Sequence, residues 1–117
     1  MLTLELLDGC GVNTREGVAR CAGSTDFYID LVRKVIWDTR FDALGILIES
    51  GDFMQAQKAV GALIETAGNL SLAPMVERLG KLAKLLEAKC PQREDINGCF
   101  SDLMECVGHA RQVDEEA

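Results

Sequence analysis

Apolar residues recur along most of this chain at the spacing of an amphipathic helix. After Asp52 they follow one another at intervals of three and four residues: Phe53, Ala56, Val60, Leu63, Ala67 and Leu70. Such intervals place all six on one face of a helix, which is typical of a face buried against neighbouring helices. A similar rhythm follows Pro74 (Met75, Leu79, Leu82, Leu86) and Pro91 (Ile96, Phe100, Leu103, Val107, Ala110). We therefore predict helices over 52–70, 74–89 and 93–113.

Apolar residues also recur at helical spacing in the first half of the chain, but there the pattern is interrupted more often. Residues 26–49 carry apolar positions at helical spacing, Ser24 or Thr25 is a suitable N-cap, and Gly51 is a suitable C′ residue. Before them, residues 1–23 hold two short helical segments, the first stopped by Gly9 and the second capped by Asn13 or Thr14. The acidic tail, Asp114 to Ala117, is expected to fray.

Four long amphipathic segments joined by short loops predict an all-α fold. The expected architecture is an antiparallel up-down four-helix bundle, with the short N-terminal helices packed across one end. With 117 residues, 48% of them hydrophobic and 26% charged, the chain fits one folded domain spanning 1–117.

Charge and hydropathy restrict the kind of partner. The formal net charge is −7, and no basic run is present to offset phosphate repulsion, so nucleic acid and anionic membranes are unfavourable partners. No apolar run reaches the roughly 18 residues of a transmembrane helix. Another protein is the expected partner.

The cysteines and acidic residues offer little chemistry. Five cysteines without a C-x-x-C pair, and a start that lacks the features of a signal peptide, favour a reducing cytoplasm. Cys99 and Cys106 share a helical face but lack matching ligands, so burial is favoured over a metal site. The acids of the long helix (Asp26, Asp30, Asp38, Asp42) are interpreted as a solvated face, and Trp37 with Phe41 as packing at the core edge. No cofactor and no enzymatic activity are expected.

Two runs of residues resemble a known family. The run Gly9–Gly23, followed by Phe27, Tyr28 and Leu31, resembles the N-terminal signature of bacterial histidine phosphotransfer (HPt) domains. The run Ile48–Phe53, followed by Lys58–Ala59 and Thr66–Leu70, is similar to the second-helix signature of that family. The resemblance covers nearly the whole chain and implies the same four-helix bundle.

The resemblance also implies a phosphotransfer site, at which this chain departs from the family. The family motif reads approximately His-x-Leu-Lys-Gly-x-Ala, and its histidine exchanges a phosphoryl group with an aspartate of a response-regulator receiver domain. A neighbouring positive side chain offsets the added charge, and a small residue lets the partner approach. Aligned through Leu63, Ala67 and Asn69, the histidine position is Gly61, the lysine position Ile64 and the small-residue position Glu65. The chain thus looks like a degenerate HPt domain.

A second stripe on this helix is the candidate partner-binding surface. On a helical wheel Gln57, Gly61, Ile64 and Gly68 lie near one line, with Met54 and Glu65 at its border. One interpretation is a docking patch for a receiver-like partner. The other is that Ile64 packs under a neighbouring helix and that the glycines reflect drift at a site no longer selected. Glu65 would either mimic a phosphoryl group towards the acidic metal-binding pocket of a receiver or repel that pocket.

The resulting functional hypothesis is a non-catalytic HPt-like module of a two-component phosphorelay. It would bind a receiver domain or sensor kinase as a competitor or scaffold without carrying phosphate. Two alternatives remain open: an active phosphotransfer protein whose acceptor is His109, the only histidine, and a helical interaction domain outside signalling.

Overall fold

The chain folds entirely into helices, as its periodicity predicts. The structure, a computed structural model, describes all residues from 1 to 117. It contains seven helices: α1 (Leu4–Gly9), α2 (Thr14–Arg20), α3 (Thr25–Ile36), α4 (Arg40–Glu49), α5 (Phe53–Asn69), α6 (Ala73–Glu87) and α7 (Arg93–Glu116). None of them combines the length and the apolar character that a membrane span requires.

The predicted helix over 26–49 is wrong, because it is two helices that meet at Trp37–Thr39. The Asp38 carboxylate accepts a hydrogen bond from the Arg40 backbone N–H at 2.8 Å, which restarts the helix. Arg111 of α7 donates from Nε to the Ile36 carbonyl at 2.5 Å and from Nη2 to the Asp38 carbonyl at 3.4 Å. A side chain distant in sequence therefore satisfies the Ile36 carbonyl, which the break leaves free, and adds a second donor to the Asp38 carbonyl, which already accepts from the Phe41 N–H at 3.3 Å.

The expectation that the acidic tail frays is also wrong. Helix α7 continues to Glu116, and the Asp114 side chain is only 5% exposed. Its carboxylate accepts a hydrogen bond from Trp37 Nε1 at 2.8 Å and lies 3.1 Å from Arg33 Nε. Trp37 at the α3–α4 break and Arg33 of α3 thus hold the last turn of α7 in place.

The hydrophobic core contains nearly all the apolar positions that the periodicity selects. The core-facing residues of α5, α6 and α7 are buried, except that Phe53 and Phe100 are half-buried. Ala43 is exposed, because the break changes the direction of α4. Phe41 is fully buried, whereas Trp37 keeps 41% of its surface exposed.

The longer helices contact one another in a closed circuit. Helix α5 packs against α4 and α6, α6 packs against α7, and α7 returns to α3 and α4. Short turns over 50–52, 70–72 and 88–92 join α4 to α7 in succession. At the other end of the chain, α1 buries Leu7, and α2 contacts α1 and α3.

Candidate functional site on the exposed face of α5

Helix α5 begins at a well-defined cap. Gly51 has φ +79°, and the next residue, Asp52, donates its N–H to the Leu47 carbonyl at 2.9 Å. This is the Schellman arrangement, in which glycine at C′ ends one helix, and it confirms the predicted role of Gly51. The Asp52 carboxylate then accepts from the Gln55 N–H at 3.3 Å, which caps α5.

Helix α5 ends in a similar turn that is fastened to α3. Ser71 takes φ +55°, and Leu72 donates its N–H to the Ala67 carbonyl at 3.1 Å. The Tyr28 hydroxyl donates to the Leu70 carbonyl at 2.8 Å, and the Tyr28 side chain is fully buried. Burial raises the pKa of Tyr28 to about 12. The phenol therefore remains protonated and able to donate.

Helix α2 adds two more restraints on the same end of α5. Gly17 lies directly against the Tyr28 ring, so that a β-carbon at position 17 would stand 2.5 Å from Cζ and 2.6 Å from the hydroxyl oxygen. Arg20 donates from Nη1 to the Gly68 carbonyl at 3.1 Å. These residues belong to the two runs that resemble the HPt signatures, and in the folded chain the two runs meet. The matching residues form the scaffold that orients α5.

The buried face of α5 defines which of its residues face outward. Ala56, Val60, Leu63 and Ala67 are all fully buried. On a helical wheel with 100° per residue, the exposed direction is the one opposite the mean direction of these four residues. Glu65 lies close to that direction, and Gly61 lies about 50° from it. Glu65 therefore lies near the centre of the exposed face, where the sequence analysis had set it at the border.

The six predicted surface residues divide into two groups. Met54 is 70% exposed, and Gly61 and Glu65 are also exposed, so these three share the open face. Ile64 is half-buried and packs against the core, as the alternative interpretation had it.

Gln57 and Gly68 are engaged within the chain. The Gln57 side-chain amide donates to the Leu86 carbonyl at 2.6 Å, which ties it to the end of α6. Gly68 is half-buried, and its carbonyl is the acceptor for Arg20. The two residues consequently support the position of α5, and Gln57 remains exposed beside the open face.

Three exposed residues complete the open face and were missed in the sequence. Lys58, Ala62 and Asn69 lie on the same side of α5 as Gly61 and Glu65. A wheel centred opposite the four buried residues would have found them, because each lies within about 50° of that direction. We define the α5 face as Met54, Lys58, Gly61, Ala62, Glu65 and Asn69.

The α5 face has a bare position, Gly61, beside two unpaired charges. Apart from the adjoining backbone of α5 itself, no atom lies within 4 Å of the place where a β-carbon at Gly61 would stand, so internal packing does not require glycine there. Neither Lys58 nor Glu65 takes part in any of the six ion pairs of the structure. Both charges are therefore available to a partner.

The only histidine lies on another part of the surface. His109 is exposed on α7 and borders a cavity formed with residues of α1, α3 and α6 and the turn before α6, to which α5 contributes nothing. The α5 face itself contains no imidazole. An acceptor at His109 would thus work from a different surface.

Comparison of the chain with protein-family models, curated proteins and solved structures finds no match. The resemblance to HPt domains consequently depends on the residues quoted above alone.

Proposed function

We propose that this chain is an HPt-like four-helix bundle that binds a receiver domain or a sensor kinase of a two-component phosphorelay without carrying phosphate. It acts in the cytoplasm as a competitor or scaffold, requires no cofactor and catalyses no reaction. The α5 face is its docking surface.

The arrangement of the helices supports the bundle. Helices α4, α5, α6 and α7 contact one another in a closed circuit, and α3, which precedes α4, also contacts α7. These contacts fit a four-helix bundle in which α3 and α4 together form one of the four helices, broken at Trp37–Thr39. Turns of three to five residues between successive helices favour antiparallel neighbours. Five free thiols agree with a reducing compartment.

One observation carries the proposal: the family-like residues maintain the helix, while the family's reactive position is bare. Gly17, Tyr28 and Leu70 fix α5 through packing and a buried hydrogen bond. Gly61, at the position of the phospho-accepting histidine, has open space around it. Retention of an ordered, exposed helix face without its nucleophile is what a docking module needs.

The charges of the α5 face suggest how a receiver would be recognised. A receiver presents an acidic metal-binding pocket, as the resemblance implies. The Lys58 ammonium group would be attracted to that acidic pocket directly. The Glu65 carboxylate would be attracted to it only when a metal ion is bound there and would be repelled otherwise.

Binding to purified receiver domains and kinases from the native host, followed by isothermal titration calorimetry, tests this proposal. We expect binding to at least one of them and no transfer of phosphate to the chain. Gly61→Arg should weaken binding at least about tenfold by placing a large side chain on the bare part of the face. Gly108→Arg is the matched control, because Gly108 is also an exposed helical glycine with open space around it. Equal effects of the two substitutions would rule out the α5 face.

Glu65→Gln distinguishes the two electrostatic possibilities. If Glu65 meets a bound metal, the substitution weakens binding in Mg²⁺ and not in its absence; if it repels the pocket, the substitution strengthens binding without Mg²⁺. Glu115→Gln, on the exposed end of α7, controls for the change in net charge. An unchanged affinity under both conditions would exclude a role for Glu65.

A further inference from the structure

A cavity of about 280 Å³ opens between α1, α3, α6 and α7. No residue of α5 lines it, so it shares no residue with the proposed docking surface. Binding in this cavity is therefore independent of the proposed function.

The walls of the cavity are mostly apolar. Leu7, Val32, Ile36 and Met75 line it and are buried. The half-buried thiols of Cys10 and Cys106 also line it, and burial raises the pKa of both. Since the thiols are neutral, they form part of the apolar wall and behave as small hydrophobic groups.

The mouth of the cavity is polar and carries an excess of negative charge. Arg78 lies 3.4 Å from Asp102 and donates from Nη1 to the Pro74 carbonyl, so its charge is already paired. Glu105 also borders the cavity, is exposed, and takes part in none of the ion pairs. His109 completes the mouth. One carboxylate at an apolar opening thus has no cationic partner.

We propose that this cavity binds a small molecule with an apolar chain and a protonated amine. The chain would occupy the space between the thiols and α3, and the ammonium group would pair with Glu105 at the mouth. A cavity of about 280 Å³ has room for a chain of several methylene groups. A primary amine with eight carbons is a suitable probe of both its apolar wall and its charge.

Titration of the protein with octylamine, octanol and octanoate, followed by NMR, tests the volume and the charge separately. All three compounds have eight carbons, so differences in their affinities report on the polar groups at the mouth of the cavity. We expect saturable shifts at Cys106 and its neighbours, with octylamine binding about threefold more tightly than octanol, as an exposed ion pair provides, and octanoate binding most weakly. Glu105→Gln should remove the advantage of the amine and leave octanol unchanged. The absence of saturable shifts, or equal binding of octanoate and octylamine, would overturn the proposal.

Protection of a cavity thiol from alkylation tests whether the ligand occupies the cavity. Octylamine at saturation should slow the alkylation of Cys106 by N-ethylmaleimide and leave the exposed Cys90 unaffected, as measured by mass spectrometry of the modified peptides. Cys106→Leu adds bulk to the cavity wall and should weaken binding, whereas Cys90→Leu should not. If circular dichroism shows that the Cys106→Leu variant does not fold, the alkylation of Cys106 in the unsubstituted protein is the deciding measurement. An unchanged rate at Cys106 would contradict binding in this cavity.

Discussion

The contact between Gly17 and Tyr28 makes a strong prediction for Gly17→Ala. Alanine normally stabilises a helix interior relative to glycine by about 1 kcal/mol. Here the added methyl group would collide with the Tyr28 ring, which is fully buried and donates to the Leu70 carbonyl. We therefore expect a large destabilisation at a position where helix propensity alone predicts a gain.

The expected loss of stability combines the cost of crowding the Tyr28 ring with the cost of breaking its hydrogen bond. Forcing an extra methyl group into a packed core costs about 1–3 kcal/mol. Displacing the hydroxyl leaves the buried Leu70 carbonyl unpaired, which costs about 1–3 kcal/mol. After the propensity gain is subtracted, the expected loss is about 3 kcal/mol. Tyr28→Phe, which removes only the hydrogen bond, should cost about 1–2 kcal/mol.

Urea unfolding followed by the fluorescence of Trp37, the only tryptophan, measures these differences. Gly80→Ala is the matched control, because Gly80 is a helical glycine with open space around it and should gain about 1 kcal/mol. A neutral or stabilising Gly17→Ala would refute the role assigned to this contact in fixing α5.

Three further predictions concern the turn after α5, the α3–α4 break and the response to acid. Ser71→Gly should stabilise the protein by about 1 kcal/mol in urea unfolding, because Ser71 has φ +55° and buries a hydroxyl without a hydrogen-bond partner. Arg111→Met should destabilise it by about 2 kcal/mol in the same assay, because it removes the charged donor that satisfies the carbonyl groups at the break. The hydrogen bond from Arg40 holds the pKa of Asp38 below its ordinary value of 3.8. Asp38 thus contributes stability above that value and loses it as the pH falls through its lower folded pKa, so Asp38→Asn should reduce the loss of stability as the pH is lowered from about 5 to below 3.8.

Each of these predictions has a matched control. Ser50→Gly changes the same residue type after α4 at φ −76°, and it should bring no gain. Arg15→Met removes an exposed arginine without an ion pair, and Asp30→Asn removes an exposed carboxylate without one. A gain from Ser50→Gly, or equal effects of the arginine or aspartate pair, would contradict the corresponding explanation.

The helices could be predicted where local signals and burial agree. The buried positions of α5, α6 and α7 follow directly from intervals of three and four residues, and Asp52 and Gly51 have the residue types that their caps require. Ser71 takes the same left-handed conformation as Gly51 without being glycine, and so gave no comparable signal for the end of α5.

Pairing between residues distant in sequence contributes to both errors in the predicted fold. The segment 37–39 contains neither glycine nor proline, and its break depends on Arg111, more than 70 positions later, as well as on the local hydrogen bond between Arg40 and Asp38. The ordered tail depends on the pairing of Asp114 with Trp37 and Arg33. Helical periodicity contains no information about such contacts.

The candidate surface could be predicted only approximately for the same reason. The wheel placed Gly61 and Glu65 together on α5, but it could not assign Gln57 to the Leu86 carbonyl or Gly68 to Arg20. Lys58, Ala62 and Asn69 lie closer to the middle of the exposed face than either of these two residues. The open face is more charged than the predicted apolar stripe.

Transfer of labelled phosphate from a bound receiver domain to the chain tests the central proposal most directly. The natural chain should bind the receiver and remain unlabelled. A variant with Gly61→His, Ile64→Lys and Glu65→Gly combined should bind and acquire acid-labile label, because the scaffold that presents the helix is retained. Label on the natural chain that His109→Ala removes, or failure of both proteins to bind any receiver or kinase of the host, would contradict the proposal.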